Sequence, residues 1–268
     1  MITRIIKLLI SIFVFCTDSV KRLIALIAGK KLPPTCVILY YHIVNEAQRK
    51  LFCRQLETLL CLTRPIAINH KHPLNSRDYF VAITFDDAFT CILDNAVPEL
   101  LKRRVPFTIF VPTGFIGKNP GWIKQKNDPQ HKVMDKKQLI KLHKMDNVVI
   151  GSHCISHRDI TLLSNDEAEK EISQSKSDLE RFLGQKITLL SFPHGAYKKQ
   201  HVTMAWEAGY ERVFSILPSL AFLRSDEYET GRVRVDPDDW MLEFRLKICG
   251  AYRWLPLAFA VKKALLKF

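Results

Sequence analysis

A chain of 268 residues with 47% apolar content can bury a core as one large domain or two small ones, which excludes a disordered or fibrous protein. Its 40 Lys and Arg against 27 Asp and Glu leave a formal charge of +13, yet no basic run interleaves with aromatics, no zinc-finger spacing occurs and no glycine-rich phosphate loop is present. Neither nucleic acid nor a nucleotide is therefore expected as a partner. Seven cysteines without a CxxC pair argue against a disulfide framework and for a reducing compartment.

Residues 1–31 begin like a secretory signal, with Arg4 and Lys7 ahead of the apolar stretch Leu8 to Cys16. No small-residue cleavage site follows, and Phe15 before Cys16 is too bulky for a lipoprotein signal. A membrane span would have to take in Asp18, Lys21 or Arg22, each costing roughly 2.5–3.5 kcal/mol at mid-bilayer. At about 100° per residue, Arg4, Lys7, Ser11, Asp18 and Arg22 fall on one narrow stripe, and Ile5, Leu8, Leu9, Ile12, Phe13 and Leu23 take the remainder. This pattern predicts an amphipathic helix suited to a membrane interface.

Short apolar runs then alternate with helical patterns, the signature of an α/β domain over residues 36–250. Strands are predicted at 36–42, 80–85, 106–111, 147–151, 187–192 and 212–216, and helices at 51–62, 92–103, 136–144, 166–183 and 198–208. Ser164 with Glu167 forms a capping box, and Gly184 and Gly209 are helix stops. Residues 117–132 read as a long loop bordering a site. Residues 251–268 predict a second, basic amphipathic helix, with Trp254, Leu255, Phe259, Leu266 and Phe268 beside Lys262, Lys263 and Lys267. Two such ends imply a membrane surface as partner and a location peripheral to the inner membrane; the plainer reading is that both helices pack on the domain itself or on a partner. Cysteine usage favours the cytoplasmic face, and a periplasmic form held by an uncleaved signal anchor is the alternative.

Three predicted strands end in chemistry, at the position where α/β folds collect ligands and catalysts. The strand at 80–85 runs into Asp86 and Asp87, the one at 147–151 into His153 and His157, and the one at 187–192 into Pro193, His194 and Gly195. Two imidazoles four residues apart and one carboxylate suit a divalent transition metal, which leaves one carboxylate to accept a proton from an attacking water. Each feature also has a plainer explanation: adjacent Asp residues cap helices, and HxxxH occurs in many proteins without metal. An aspartate-nucleophile phosphatase would need Asp-x-Asp, and position 88 is Ala. A non-haem iron oxygenase would need His-x-Asp, which is missing.

"TFDD", "HCISH" and "FPHG", with "YYHIV" near the first strand, resemble the motifs of the NodB-homology polysaccharide deacetylases, carbohydrate esterase family four, over about residues 36–235. The resemblance implies an irregular (β/α)7-type barrel, here flanked by N- and C-terminal amphipathic helices, with its site at the strand carboxyl ends. It implies Asp86 as general base, Asp87, His153 and His157 as ligands of one divalent metal ion, and the backbone N–H of His194 as an oxyanion donor. Zinc is the first choice of metal, with cobalt, nickel and iron as alternatives. The implied reaction is hydrolysis of an N-acetyl group on an amino sugar of an envelope polysaccharide or lipid-linked glycan.

Departures from the pattern are specific. Cys154 replaces a hydroxyl residue, and Arg158 stands where Pro is common. No histidine follows His201 to serve as the family's late general acid, which leaves His194 as the candidate. Ser191 occupies the place of the family's Arg, so Arg232 or Arg234 would have to orient Asp86, while Pro193 and Gly195 shape the substrate side. The alternatives are a hydrolase of another N-acyl or formyl amide and a carbohydrate-binding protein without catalysis.

Overall fold

The two longest strands, β1 (Thr35–Tyr41) and β3 (Tyr79–Phe85), form from runs of β-branched and aromatic residues and pair in parallel over all seven positions. The computed structural model describes residues 2–265 except 33, 71–73, 75–77, 123–130 and 225. Beyond β3 the sheet continues, always parallel, through β4 (Phe107–Val111), β5 (Val148–Ser152), β6 (Leu189–Ser191), β7 (Arg212–Ser215) and β8 (Glu229–Gly231). Short β2 (Arg64–Pro65) adds to β3. On the far side of β1 lies β9 (Val233–Arg234). Only Arg232 separates β8 from β9, so one short stretch pairs with the last strand and the first and curls the sheet into a nearly closed barrel.

Strand periodicity sorts the side chains. Cys36, Ile38, Phe80, Ala82, Phe110, Leu189 and Phe214 fill the barrel interior. Their neighbours Val37, Leu39, Tyr41, Val81, Ile83 and Phe85 point outward and meet the surrounding helices: α2 (Arg49–Leu62), α3 (Cys91–Asn95), α4 (Val97–Lys102), α5 (Lys136–His143), α6 (Asn165–Leu183), α7 (Lys199–Glu207) and α8 (Met241–Ile248). Both faces are covered, which is why the strands read as continuous apolar runs.

The helix expected at 92–103 is two helices, because Pro98 donates no hydrogen bond and its ring crowds the carbonyl four residues earlier. The strand expected at 187–192 is shorter, and β2, β8, β9 and α8 were not anticipated. The capping box forms as predicted, with Ser164 Oγ accepting from Glu167 N–H at 3.3 Å and Glu167 Oε2 accepting from Ser164 N–H at 3.0 Å. All seven cysteines are free. Of the loop expected at 117–132, residues 123–130 lie outside the described residues.

Helices α1 (Ile2–Ile27) and α9 (Leu255–Leu265) flank the barrel. Apart from exposed Lys7, the polar stripe of α1 faces inward and fastens the helix to the domain. Arg4 pairs with Glu243 at 2.7 Å and Asp239 at 3.5 Å, Ser11 is buried and accepts from Trp254 Nε1 at 2.9 Å, Asp18 pairs with Arg253 at 2.6 Å, and Arg22 donates to Thr35 Oγ1. Leu8, Ile12 and Phe15 pack beside Leu246, Ala251 and Tyr252. Among the described residues, no helix is long and apolar enough to cross a membrane.

Candidate active site

Asp86 keeps the inward parity of Phe80, Ala82 and Thr84, and its N–H extends the β1–β3 ladder by donating to Tyr41 O at 2.9 Å. Inside the barrel mouth it meets Arg232, which arrives from the opposite side of the closure. Arg232 Nη1 and Nη2 donate to Asp86 Oδ1 and Oδ2 at 2.7 and 2.8 Å, a planar fork matched to a carboxylate. The guanidinium is wholly buried and also donates to Thr84 Oγ1 at 3.0 Å and Ser191 Oγ at 2.7 Å, with Tyr40 and Phe110 rings beneath and above it. Burial by itself pushes Asp86 up; the Arg232 charge, then that of His153, outweighs it and holds the carboxyl at about 2. Of the two arginines expected to orient Asp86, Arg232 is the one that reaches it, and Ser191 accepts from the same guanidinium. Arg234 does not reach the site: it is exposed and pairs with Asp236 at 3.1 Å.

After Asp86 the chain leaves the strand through two left-handed residues, Asp87 (φ 69°) and Ala88 (φ 52°). Such positions cost on the order of 1–3 kcal/mol each for non-glycine residues, and here neighbouring structure fixes them: Met134 N–H donates to Ala88 O at 2.9 Å, and Phe89 bridges to Val133. The turn swings Asp87 away from its neighbour toward the two histidines.

His153 follows β5, anchored by its N–H on Val111 O at 3.0 Å. Its Nδ1 lies 2.7 Å from the Ser191 carbonyl, which can only accept, so Nδ1 carries the proton and Nε2 keeps its lone pair. Burial lowers its pKa to about 4 in spite of Asp86 nearby, leaving a neutral imidazole. The four residues to His157 form a tight loop with Cys154 (φ 59°) and His157 (φ 55°) left-handed. Glu171 on α6 ties that loop, accepting from Ile155 N–H at 2.8 Å and Ser156 N–H at 2.9 Å.

Asp87 Oδ1 ends 3.0 Å from His157 Nε2 and 3.8 Å from His153 Nε2, without hydrogen-bond geometry to any described residue. Burial pushes Asp87 up, and the two imidazoles more than offset it, so it too lies below the usual carboxylate range. One donor atom from each of the three lies within 4.8 Å of the others, all buried. A buried carboxylate oxygen with no donor, converging with neutral imidazole nitrogen, fits a divalent transition cation.

The mouth has further walls. Trp122 stacks on the His157 ring at 3.9 Å and 16°, braced edge-on by Phe115. His194 is exposed on the other side, its ring 4.6 Å from that of His157 and its Nε2 3.2 Å from His157 O. It sits in the short turn Pro193–Gly195 with φ 58°. Pro193 is buried, and Gly195 (φ 62°) has no room for a side chain, since a Cβ would stand 2.3 Å from Ile216 Cγ1. His42, just past β1, helps hold both carboxylates low. Sequence reasoning passed over His42, Trp122 and Glu171. The first had a readable signal, since "YYHIV" also ends a strand in chemistry.

Residues 74–213, just over half of the chain, match the family model described as polysaccharide deacetylase. The chain is 30% identical over 157 residues to YxkH of Bacillus subtilis (strain 168), a protein named for the same family, covering 59% of this chain and 52% of that one. It is 24% identical over 166 residues to the poly-beta-1,6-N-acetyl-D-glucosamine N-deacetylase of Staphylococcus aureus (strain MRSA252), covering 59% and 55%. It thus spans about half the length of the curated relatives it matches. Its fold is that of IcaB from Ammonifex degensii, with a TM-score of 0.69 at 21% identity over 82% of this chain and 97% of that one. The matched segment contains the whole Asp86, Asp87, His153, His157 and His194 cluster, and the chain belongs to the polysaccharide deacetylase family.

Proposed function

We propose that the chain is a metal-dependent hydrolase that removes the N-acetyl group from an amino sugar of an envelope polysaccharide or lipid-linked glycan. The observation that carries this reading is the division of labour between adjacent carboxylates: Asp86 is forked by Arg232, whereas Asp87 Oδ1 turns to two histidines without a hydrogen bond. Asp87, His153 and His157 would hold the cation, with zinc the first choice for a two-histidine, one-carboxylate set. When bound, it would supply Lewis acidity toward the acyl carbonyl and toward water.

Asp86, kept ionised by Arg232, takes a proton from the water whose oxygen bonds to the acyl carbon. Arg232 fixes the carboxylate plane without competing for that proton, because a guanidinium has no lone pair free to accept one. The N–H of His194 opens its short turn and has no acceptor within that turn, which leaves it available as the donor to the developing oxyanion. The C–N bond then breaks, acetate leaves, and the imidazole of His194 supplies the proton that the departing amine requires.

The test is acetate release from N-acetylglucosamine oligomers, alongside N-formyl and longer N-acyl analogues, by the parent chain and Asp86→Asn. Turnover on acetyl substrates that falls by about a thousandfold or more in the variant supports the reading. Preference for the formyl or longer acyl compounds would move the substrate class. Sugar binding without turnover in the parent chain would make it a binding protein.

A further inference from the structure

The outward side of α1 is a continuous apolar face on which none of the described residues packs. Ile2, Leu9, Phe13, Val20, Leu23 and Ile27 are all exposed, from 55% at Val20 to 79% at Ile27. By helix geometry this face lies roughly 180° round from the Arg4, Ser11, Asp18 and Arg22 stripe that grips the domain. It runs the length of a 26-residue helix, roughly 39 Å at 1.5 Å per residue. Leu257, Phe259 and Val261 on the neighbouring α9 are exposed as well. Apolar faces of this extent are rare on monomeric soluble proteins unless something covers them.

Charge decides what covers this one. Lys21 is exposed toward one border of the apolar face, Lys7 is exposed on the edge of the polar stripe, and Lys30 and Lys31 are exposed just past the helix end. The only acid in α1 is Asp18, which is turned inward and held by Arg253. The outward surface is therefore apolar and cationic with no carboxylate. A second copy of the chain would set lysines against lysines. An anionic bilayer offers acyl chains to the apolar face and opposite charge to its borders.

We infer that α1, assisted by α9, docks the protein on the surface of an anionic membrane, apolar face down, while its polar stripe is consumed by the domain. This does not depend on the chemistry at the barrel mouth. The direction of α1 adds a constraint. Arg22 meets Thr35 and Tyr79 where β1 and β3 begin, and Arg4 meets Asp239 and Glu243 beyond the end of β9. The helix thus runs along the barrel wall with its N-terminal end beside the mouth. An interfacial helix lies in the membrane plane, so the barrel axis lies along the bilayer and the mouth opens beside the surface.

The test is flotation of the full chain with vesicles of phosphatidylcholine alone and of phosphatidylcholine with phosphatidylglycerol, with molar mass and thermal unfolding measured in parallel. A monomer that floats with the anionic vesicles is expected. Leu9→Glu with Phe13→Glu, both at exposed positions, should unfold at the parent temperature and bind at least about tenfold less. Lys7→Glu with Lys21→Glu should lose binding to anionic vesicles and keep its fold. A monomer that stays unbound with both vesicle types, variants that float like the parent, or a stable dimer split by the Leu9 and Phe13 changes would overturn the proposal, the last by assigning the face to a second copy.

Discussion

Arg232 grips Asp86 with both prongs of its guanidinium from the single position at which the chain passes from one edge of the sheet to the other. The same pair therefore closes the barrel and sets the state of the candidate base. Arg232→Met leaves a buried carboxylate without its counter-charge and should cost about 3–5 kcal/mol of unfolding free energy. Asp86 lies below its ordinary 3.8, at about 2, so the pair contributes stability at neutral pH that fades as pH falls through that interval. In the variant, only His153 and His42 still oppose burial, Asp86 titrates higher, and the acidic limb of kcat/KM moves up in pH. Denaturant unfolding and a pH–rate profile measure both.

Metal content should follow the three converging donors. Parent protein dialysed against zinc is expected to carry near one equivalent per chain, and Asp87→Ala and His157→Ala near none, by elemental analysis. Because the cation would bind only the folded chain, metal at 100 times its Kd should raise stability by about 2.7 kcal/mol, and a chelator should remove that increment.

Glu171 touches no reacting group, yet it holds the loop between the two histidines through backbone N–H groups of Ile155 and Ser156. Glu171→Ala leaves those half-buried donors without their acceptor and should destabilise by about 1 kcal/mol. Metal affinity should weaken by about 10- to 100-fold, as read by competition with a chromogenic chelator. Unchanged affinity in a destabilised protein would limit Glu171 to a folding role.

Two imidazoles stand at the mouth outside the ligand set. If His194 protonates the leaving amine, His194→Gln should lower kcat by about 100-fold or more and remove the alkaline limb of the profile, while His42→Gln leaves that limb in place. The reverse result would transfer the role to His42.

Much of this molecule was legible because parallel strands buried on both faces are spelled as apolar runs, and because chemistry gathers where such runs stop. Asp86, Asp87, His153 and His157 were found that way. The closure was not legible, since β8 and β9 are three and two residues long and carry no periodicity. The left-handed backbone at Asp87, Ala88, Cys154, His157 and His194 uses residues that give no glycine-like signal; tertiary contacts impose it. For α1, periodicity revealed two stripes but not which of them the domain would claim. Ser11 and Asp18 on the polar stripe meet Trp254 and Arg253, more than 200 residues away in sequence.

The closure at Arg232 also orders events during synthesis. Asp86 and Arg232 are 146 residues apart in sequence, and β9 pairs with β1 from almost the other end of the domain. A nascent chain emerges at roughly 5–20 residues per second, so Asp86 and the histidine loops spend seconds outside the ribosome before their counter-charge arrives. During that interval the barrel is an open sheet with β1 as a bare edge, exposed to strand addition from a neighbouring chain. Catalytic competence and protection from aggregation would then arrive together, with the last few residues to join the wall.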